Sequence, residues 1–295
     1  MTNAKTYPII AVDGGGTRCR IALKRGQDTT VVETGSANVT SNFDGAVAEI
    51  EAGLNALAEH SAMSLPRLTA IPAYVGLAGV TGPAIAERLT QALPFDRVVV
   101  EDDRPAALRG ALGAQDGFVA HCGTGSFIAA QIDGQRRIVG GWGPVLGDPA
   151  SAQWVGRHAL SYTLDAADGL APNTGMAQHF LSTLGGTAGV VAFAASARPA
   201  DFGALAPVVT DHAEAGDALA IALMGDAAGL LVRLLTKMGW TPGKTICLTG
   251  GIGPSYATHL PAQMQMDLKA PLGEPLSGAL SLAREFSTEV TLERG

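Results

Sequence analysis

A glycine-rich turn between two strands constrains the fold of this chain more than any other feature of its sequence. The apolar run over residues 8–12 and the alternating run over residues 19–24 are typical of strands. Between them lie Asp13, Gly14, Gly15, Gly16 and Thr17. Three successive glycines carry no Cβ, so their amide groups are open to an anion such as phosphate. The segment therefore predicts a hairpin whose turn binds phosphate.

Other phosphate-binding loops do not fit this turn. A dinucleotide-binding fingerprint requires a helix directly after its glycines, and a Walker loop ends in Gly-Lys-Ser/Thr. Neither feature follows Gly16. Asp13 ends the first strand, where its carboxylate could hold a hydrated Mg²⁺ beside the phosphate. The alternative is a tight hairpin turn with no ligand, because Asp and Gly also favour such turns.

Length and charge exclude several classes of protein. The chain has 295 residues and 47% hydrophobic content, enough for two domains that each bury a core. It has 27 acidic and 20 basic residues, a formal charge of -7, and no basic cluster longer than Arg136-Arg137. A nucleic-acid surface is therefore not expected.

The cysteines and the apolar segments indicate a cytoplasmic protein. Cys19, Cys122 and Cys247 are odd in number and far apart, which indicates neither a disulfide framework nor a zinc site. No apolar leader precedes Asp13, and no run reaches the roughly 20 apolar residues that span a bilayer. We expect a soluble protein in a reducing compartment.

The order of predicted elements repeats along the chain. In the first half we predict strands over 8–12, 19–24, 29–33, 70–75 and 97–100, with helices over 43–60, over 83–93 and from Arg104 onward. In the second half we predict strands over 117–121, 126–132, 135–139 and 244–248, with helices over 151–164, 215–238 and 276–284. The repeat predicts two facing α/β domains, 1–112 and 113–295, with a ligand cleft between them. The last helix is expected to pack back on the first domain.

Three glycine segments resemble the phosphate 1, phosphate 2 and adenosine motifs of the sugar kinase, actin and heat-shock chaperone ATPase superfamily. They are Ala11-Val12-Asp13-Gly14-Gly15-Gly16-Thr17, Cys122-Gly123-Thr124-Gly125-Ser126 and Leu248-Thr249-Gly250-Gly251-Ile252-Gly253. The run from Gly140 to Asp148 resembles the N-acetylglucosamine kinase branch of the BadF/BadG/BcrA/BcrD family. The resemblance implies two ribonuclease H-like (actin-like ATPase) domains that flank a nucleotide and sugar cleft. It also implies ATP-dependent phosphorylation of an amino sugar hydroxyl, N-acetylglucosamine or glucosamine, with Mg²⁺.

The resemblance assigns nucleotide and catalytic residues. The nucleotide residues are Asp13, Gly14, Gly15, Gly16, Thr17, Gly123, Thr124, Gly250, Gly251 and Gly253, with Asp13 also at the metal. The catalytic base of that branch is an Asp between a strand and a helix, and the spacing to Gly110-Ala111 selects Asp103 rather than Asp102. A carboxylate suits phosphoryl transfer, in which one group accepts the hydroxyl proton. The alternative is that Asp103 only favours the N-terminus of the following helix.

The resemblance also assigns the sugar residues, which are Asn38, Thr124, Gly125, Trp142 and Asp148. Amide and carboxylate groups hydrogen-bond hydroxyls, and an indole covers the apolar face of a pyranose. The alternatives are that Trp142 fills a core and that Asn38 serves a turn. This chain has Pro149-Ala150-Ser151 where the family usually has Glu-Gly-Ser, and Phe127 where some relatives have Asn. Another hexose derivative therefore stays open as substrate.

Two other functions and one assembly stay open. One function is an ATPase that activates a dehydratase through a shared iron–sulfur cluster, for which Cys122 lacks a partner cysteine. The other is a non-catalytic sugar or nucleotide sensor of the same fold. His121, His158 and the remaining histidines show no metal-ligand spacing, so no chemistry is assigned to them. We expect a small-molecule sugar as partner, no nucleic acid and no membrane, with a homodimer as an open alternative.

Overall fold

The computed structural model describes residues 7–292 and divides them into two compact units. Unit 1 contains the described residues up to Gln115 and those from Leu272 onward, and unit 2 runs from Asp116 to Pro271. The division lies after Gln115, whereas the predicted boundary lies after residue 112. The last helix belongs to unit 1. Residues 1–6 and 293–295 of the predicted domain ranges lie outside the described part.

The elements follow the predicted order, with additional short helices. Strands β1 to β9 are Ile9–Gly14, Cys19–Arg25, Asp28–Thr34, Ala73–Leu77, Val98–Glu101, Gly117–Cys122, Ser126–Ile132, Gln135–Gly140 and Ile246–Thr249. Helices α1 to α13 are Phe43–His60, Leu65–Thr69, Pro83–Ala92, Arg104–Leu112, Gly143–Leu146, Ala152–Ala167, Gly175–Leu184, Gly186–Ser196, Pro199–Gly203, Ala206–Glu214, Ala218–Lys237, Ala262–Met266 and Pro275–Leu292. A 3-10 helix covers Gly253–His259.

Unit 1 is built on a five-stranded mixed sheet in the order β3-β2-β1-β4-β5. β1 is antiparallel to β2 and parallel to β4, which is in turn parallel to β5. The β1–β2 turn and the carboxyl end of β5 therefore lie at the same end of the strands. β4 begins at Ala73, later than the predicted strand at residue 70, because residues 65–69 form α2. Pro72 disfavours helical conformation at the residue before it, which ends the helix and starts the strand after Pro72.

Unit 2 repeats this arrangement with a four-stranded sheet in the order β8-β7-β6-β9. β6 is antiparallel to β7 and parallel to β9, as β1 is to β2 and β4. An isolated parallel bridge from Ile246 to Leu268 takes the place that β5 has in unit 1. The two sheets make the chain an α/β protein with two ribonuclease H-like units.

Helix α11 forms the centre of the unit 2 core. It begins at Ala218 rather than at the predicted residue 215, because Gly216 has φ +87° and Asp217 caps the N–H groups of Leu219 and Ala220. Among the described residues it is the one helix long and apolar enough to cross a membrane. Its buried residues, from Leu219 to Leu235, pack in the hydrophobic cluster of unit 2, as expected for a core helix.

Candidate active site

The β1–β2 turn of unit 1 contains open space where side chains would normally be. The turn is closed by a hydrogen bond from Gly15 N to Arg18 O at 2.9 Å. A Cβ on Gly15 would meet only Arg18 O at 3.8 Å, and one on Gly16 would meet no atom within 4 Å. A Cβ on Gly14 would instead lie 2.1 Å from Leu77 Cδ2, so Gly14 serves packing. Gly15 and Gly16 thus provide a cradle that fits a phosphate.

Asp13 is held by an arginine that the sequence did not single out. Its Oδ2 accepts hydrogen bonds from Arg20 Nη2 at 2.6 Å and Arg20 Nε at 3.2 Å, and both side chains are mostly buried. Arg20 also forms an ion pair with Glu274. Burial raises the pKa of Asp13, and the hydrogen bond and charge of Arg20 offset only part of this rise. The missed signal is hairpin register, because a turn over residues 15–18 places position 20 opposite position 13.

Asp103 lies at the start of α4 without capping it. Its side chain makes no hydrogen bond to the first N–H groups of the helix. The neighbouring Asp102 makes the hydrogen bonds at the start of the helix instead. Its Oδ1 accepts from Arg104 N at 3.0 Å and pairs with Arg104 Nε. Burial, followed by the negative charges of Asp102 and Asp13, raises the pKa of Asp103 to about 7. Unit 1 thus brings Asp13 and Asp103 into electrostatic contact.

In unit 2 the β6–β7 turn packs against a buried carboxyl. Gly123 N donates to Gly125 O at 2.9 Å, and Thr124 is exposed at the tip. A Cβ on Gly125 would lie 2.8 Å from Asp148 Oδ2, so only glycine allows this approach. Asp148 is 6% exposed and has φ +54°, and its Oδ1 has no hydrogen-bond partner among the described residues. An unsatisfied buried oxygen is a natural acceptor for a ligand hydroxyl.

The pKa of Asp148 is raised, because burial outweighs the hydrogen bonds from the backbone of Ser126 and Gly143. The chain around it is held firmly. Ser126 Oγ donates to Pro149 O at 2.7 Å, and Ser151 Oγ donates to Asp148 O at 2.8 Å. Asp148 therefore stays in place although its backbone has a left-handed conformation.

The segment after β9 packs its backbone on the β6–β7 turn. Gly250 has φ +81°, and a Cβ there would lie 2.4 Å from the carbonyl of Cys122. Ile252 N donates to Cys122 O at 3.1 Å, and Gly253 is buried. Gly251 has no atom within 4 Å of a Cβ position, which leaves space for a ligand.

A cavity of about 470 Å³ in unit 2 lies beside this segment. Its wall combines apolar residues, such as Ile221, Met224 and Pro254, with polar ones, such as Glu214 and His259. Such a mixed wall suits the apolar faces and the polar edge of a planar base. These residues were missed in the sequence, and the signal was their position directly after the adenosine-like motif.

Two predicted sugar residues, Asn38 and Trp142, had alternative roles that the structure addresses. Asn38 Oδ1 accepts from Thr40 N at 3.0 Å and Ser41 N at 3.2 Å, which confirms the turn role considered for Asn38. Its amide NH₂ makes no hydrogen bond to the turn. Trp142 is 71% exposed, so the alternative that it fills a core is wrong. Thr17 is exposed in the β1–β2 turn.

The three cysteines belong to the buried core. All three are buried, and burial raises the pKa of Cys122 to about 12 and also raises that of Cys247. Such thiols are protonated at neutral pH, so they are not reactive thiolates. Among residues 7–292 no group of three or more His, Cys, Asp or Glu side chains could hold a metal ion. A single carboxylate, Asp13, is still compatible with Mg²⁺, which commonly uses one or two carboxylates together with phosphate oxygens and water.

Comparison with known proteins identifies the family of this chain. The model of the BadF/BadG/BcrA/BcrD ATPase family matches residues 10–270. The glucosamine kinase GspK of Vibrio cholerae is 28% identical over 281 residues, which cover 93% of this chain and 95% of that protein.

Two solved structures share the fold. A candidate N-acetylglucosamine kinase from Chromobacterium violaceum has a TM-score of 0.81 and 30% identity, over 95% of this chain and 100% of its own. The second is a ROK family glucokinase from Streptomyces griseus, solved with glucose and AMPPNP. It has a TM-score of 0.57 and 17% identity, over 94% of this chain and 99% of its own. At this identity the similarity shows a shared fold and no more. The chain belongs to the BadF/BadG/BcrA/BcrD ATPase family.

Proposed function

We propose that this chain is a sugar kinase that transfers the γ-phosphoryl group of ATP to a hydroxyl of glucosamine or N-acetylglucosamine. The observation that carries the proposal is Asp103, a half-buried carboxyl with a pKa of about 7 that does not cap its helix. A base with a pKa near the working pH is suited to general base catalysis. The names of the Vibrio and Chromobacterium relatives support an amino sugar as substrate.

Asp103 accepts the proton of the sugar hydroxyl while the oxygen of that hydroxyl attacks the γ-phosphorus. The bond from that phosphorus to the β–γ bridging oxygen breaks, and ADP leaves with the electron pair. The open space at Gly15 and Gly16 takes a phosphate group, and the Gly123 turn is a second predicted phosphate contact. Asp13, oriented by Arg20, would hold a Mg²⁺ ion, which would supply positive charge to neutralise the phosphates. Burial of Asp103 keeps its carboxyl basic enough for the transfer.

Unit 2 offers contacts for the sugar and for the adenine base. The unpartnered Oδ1 of Asp148 accepts from a sugar hydroxyl, and the exposed indole of Trp142 covers the apolar face of the ring. Thr124 and Gly125 supply further polar contacts in unit 2, and Asn38 stays a predicted sugar residue of unit 1. The cavity beside Gly253 takes the adenine of ATP.

A coupled ADP-release screen tests the proposal. Glucosamine, N-acetylglucosamine, glucose and N-acetylmannosamine are each supplied with ATP and Mg²⁺, and we expect fast ADP release with an amino sugar and slow release without sugar. Sugar binding without ADP release would favour a sensor. ATP hydrolysis that no sugar accelerates would favour an ATPase, although the buried cysteines disfavour the dehydratase activator. A cytoplasmic location and a homodimer stay predictions.

A further inference from the structure

His121 occupies the position in unit 2 that Asp13 occupies in unit 1. Each is the next-to-last residue of the first strand of its sheet, with one strand residue between it and the turn. Asp13 pairs with Arg20 on the antiparallel neighbour, and His121 pairs with Phe127 in the same register. Because the side-chain period of a strand is two, equivalent positions point to the same face. His121 therefore faces the turn region of unit 2 as Asp13 faces that of unit 1.

The ring of His121 is fixed by two contacts. Its Nδ1 lies 3.1 Å from Thr249 Oγ1, directly before Gly250. The ring stacks on Phe127 with 4.9 Å between centroids and 17° between planes. Its Nε2 would lie 3.2 Å from a Cβ on Gly123. Nδ1 is thus engaged, while Nε2 lies beside the backbone of the β6–β7 turn.

The imidazole is neutral at physiological pH. Burial lowers the pKa of His121 to about 4, and no charged side chain offsets this. A neutral imidazole carries one N–H. When the Thr249 hydroxyl donates to Nδ1, that N–H is on Nε2, at the turn.

We propose that His121 is a nucleotide-binding residue whose Nε2–H donates a hydrogen bond to a phosphate oxygen of ATP at the Gly123 turn. This inference rests on the proposed kinase function. It gives unit 2 an uncharged donor in the position where unit 1 has a carboxylate. The competing role is structural, in which the ring only joins Thr249 to Phe127.

Calorimetric binding of ADP and adenosine separates these roles. His121→Phe keeps a ring on Phe127 but removes the donor, and His121→Gln keeps an N–H donor. We expect His121→Phe to weaken ADP binding by about tenfold to hundredfold, the range of one hydrogen bond to a charged group. Adenosine, which lacks phosphate, should bind within about twofold of wild type by the same reasoning, and His121→Gln should recover most of the ADP affinity.

The matched control is His158→Phe, because His158 also stacks on an aromatic ring, that of Trp154 on α6. It should bind ADP as wild type does. Equal losses for ADP and adenosine in His121→Phe, or no loss for either, would overturn the inference. A wild-type protein that binds neither ligand and transfers no phosphate would instead overturn the kinase proposal.

Imidazole ¹⁵N NMR of the wild type tests the same contact without a substitution. We expect His121 to be protonated on Nε2 and its resonance to shift with ADP but not with adenosine. A ring protonated on Nδ1, or a resonance that ADP leaves unchanged, would contradict the proposed contact even if His121→Phe failed to fold.

Discussion

The two units share a strand–turn–strand arrangement but differ in the charges at the end of its first strand. In unit 1, Asp13 lies opposite Arg20 on β2 and Gly76 on β4. In unit 2, His121 lies opposite Phe127 on β7 and Thr249 on β9. The first position holds an ion pair, and the second holds a stacked neutral ring with a hydroxyl partner.

The comparison shows that similar strand–turn–strand backbones can carry different charged side chains. Gly15 and Gly16 leave the turn of unit 1 open, whereas Gly123 and Gly125 bring the turn of unit 2 close to His121 and Asp148. The charged groups suited to metal binding and proton transfer, Asp13 and Asp103, are on unit 1. Unit 2 contributes neutral donors and one buried carboxyl, Asp148.

The largest expected effect removes the base of unit 1. Asp103→Asn should lower kcat by roughly 10²-fold or more, the scale of a lost general base. Folding and ADP binding should be kept, because Asp103 makes no capping hydrogen bond. ADP-release kinetics measure the loss, and the exposed Asp133→Asn serves as control. Turnover within a factor of two of wild type would remove Asp103 from the mechanism.

The ion pair and the aromatic stack should respond differently to pH. Arg20→Met leaves the mostly buried Asp13 carboxylate without its cation and should lower the free energy of unfolding by about 1–3 kcal/mol at pH 7. The raised pKa of Asp13 rises further in this variant, so the deficit should shrink as the pH falls and Asp13 becomes protonated.

Phe127→Leu is the matched change in unit 2. It should cost about 1 kcal/mol through the lost aromatic contact. His121 is neutral well above its pKa of about 4. This cost should therefore be constant over roughly pH 6–8. Denaturant unfolding at several pH values measures both variants. A constant deficit for Arg20→Met would contradict the assigned role of the ion pair.

Filling the open turn of unit 1 should affect the nucleotide alone. Gly15→Val places a branched side chain in the cradle and should weaken ATP binding about tenfold or more, with sugar affinity unchanged. Gly82→Val is the control, because Gly82 also has open space and an extended φ of 169° but lies before α3. Unchanged ATP affinity in a folded Gly15→Val protein would show that the phosphates bind elsewhere.

A pH profile tests how unit 1 tunes its base. kcat/KM should fall as the pH drops below about 7, because protonated Asp103 cannot accept the hydroxyl proton. Asp102→Asn removes the nearest negative charge and should move this acid limb to lower pH, while its side-chain oxygen still accepts from Arg104 N. An acid limb that does not move would exclude Asp102 as a cause of the shift.

The smallest effect concerns backbone strain in unit 2. Ala150 has φ +62°, a left-handed conformation that costs a non-glycine residue about 1 kcal/mol. Ala150→Gly should therefore raise the free energy of unfolding by up to about 1 kcal/mol. Ala197→Gly, at an ordinary φ of -68°, should lower it instead. Thermal unfolding of both variants measures the opposite signs, and a loss in both would contradict the strain at Ala150.

The sequence specified local features better than contacts between distant positions. The β1–β2 and β6–β7 hairpins were predictable, because glycine turns and period-two alternation are local signals. The Arg20–Asp13 pair required the register, and the left-handed Asp148 and the cavity beside Gly253 required tertiary packing. The site residues taken from the family resemblance stay predictions, although the structure brings Asp13 near Asp103 and Asp148 against Gly125.

The close approach of Gly250 to the β6–β7 turn has a consequence for local unfolding. With a Cβ position 2.4 Å from the Cys122 carbonyl, the segment after β9 cannot shift without displacing that turn. Ile252 N bonds to Cys122 O, and Ala152 N bonds to Gly123 O, which ties α6 to the same point. These amides should open as one cooperative unit, so their hydrogen-exchange rates should be similar and should slow together when a ligand binds either segment.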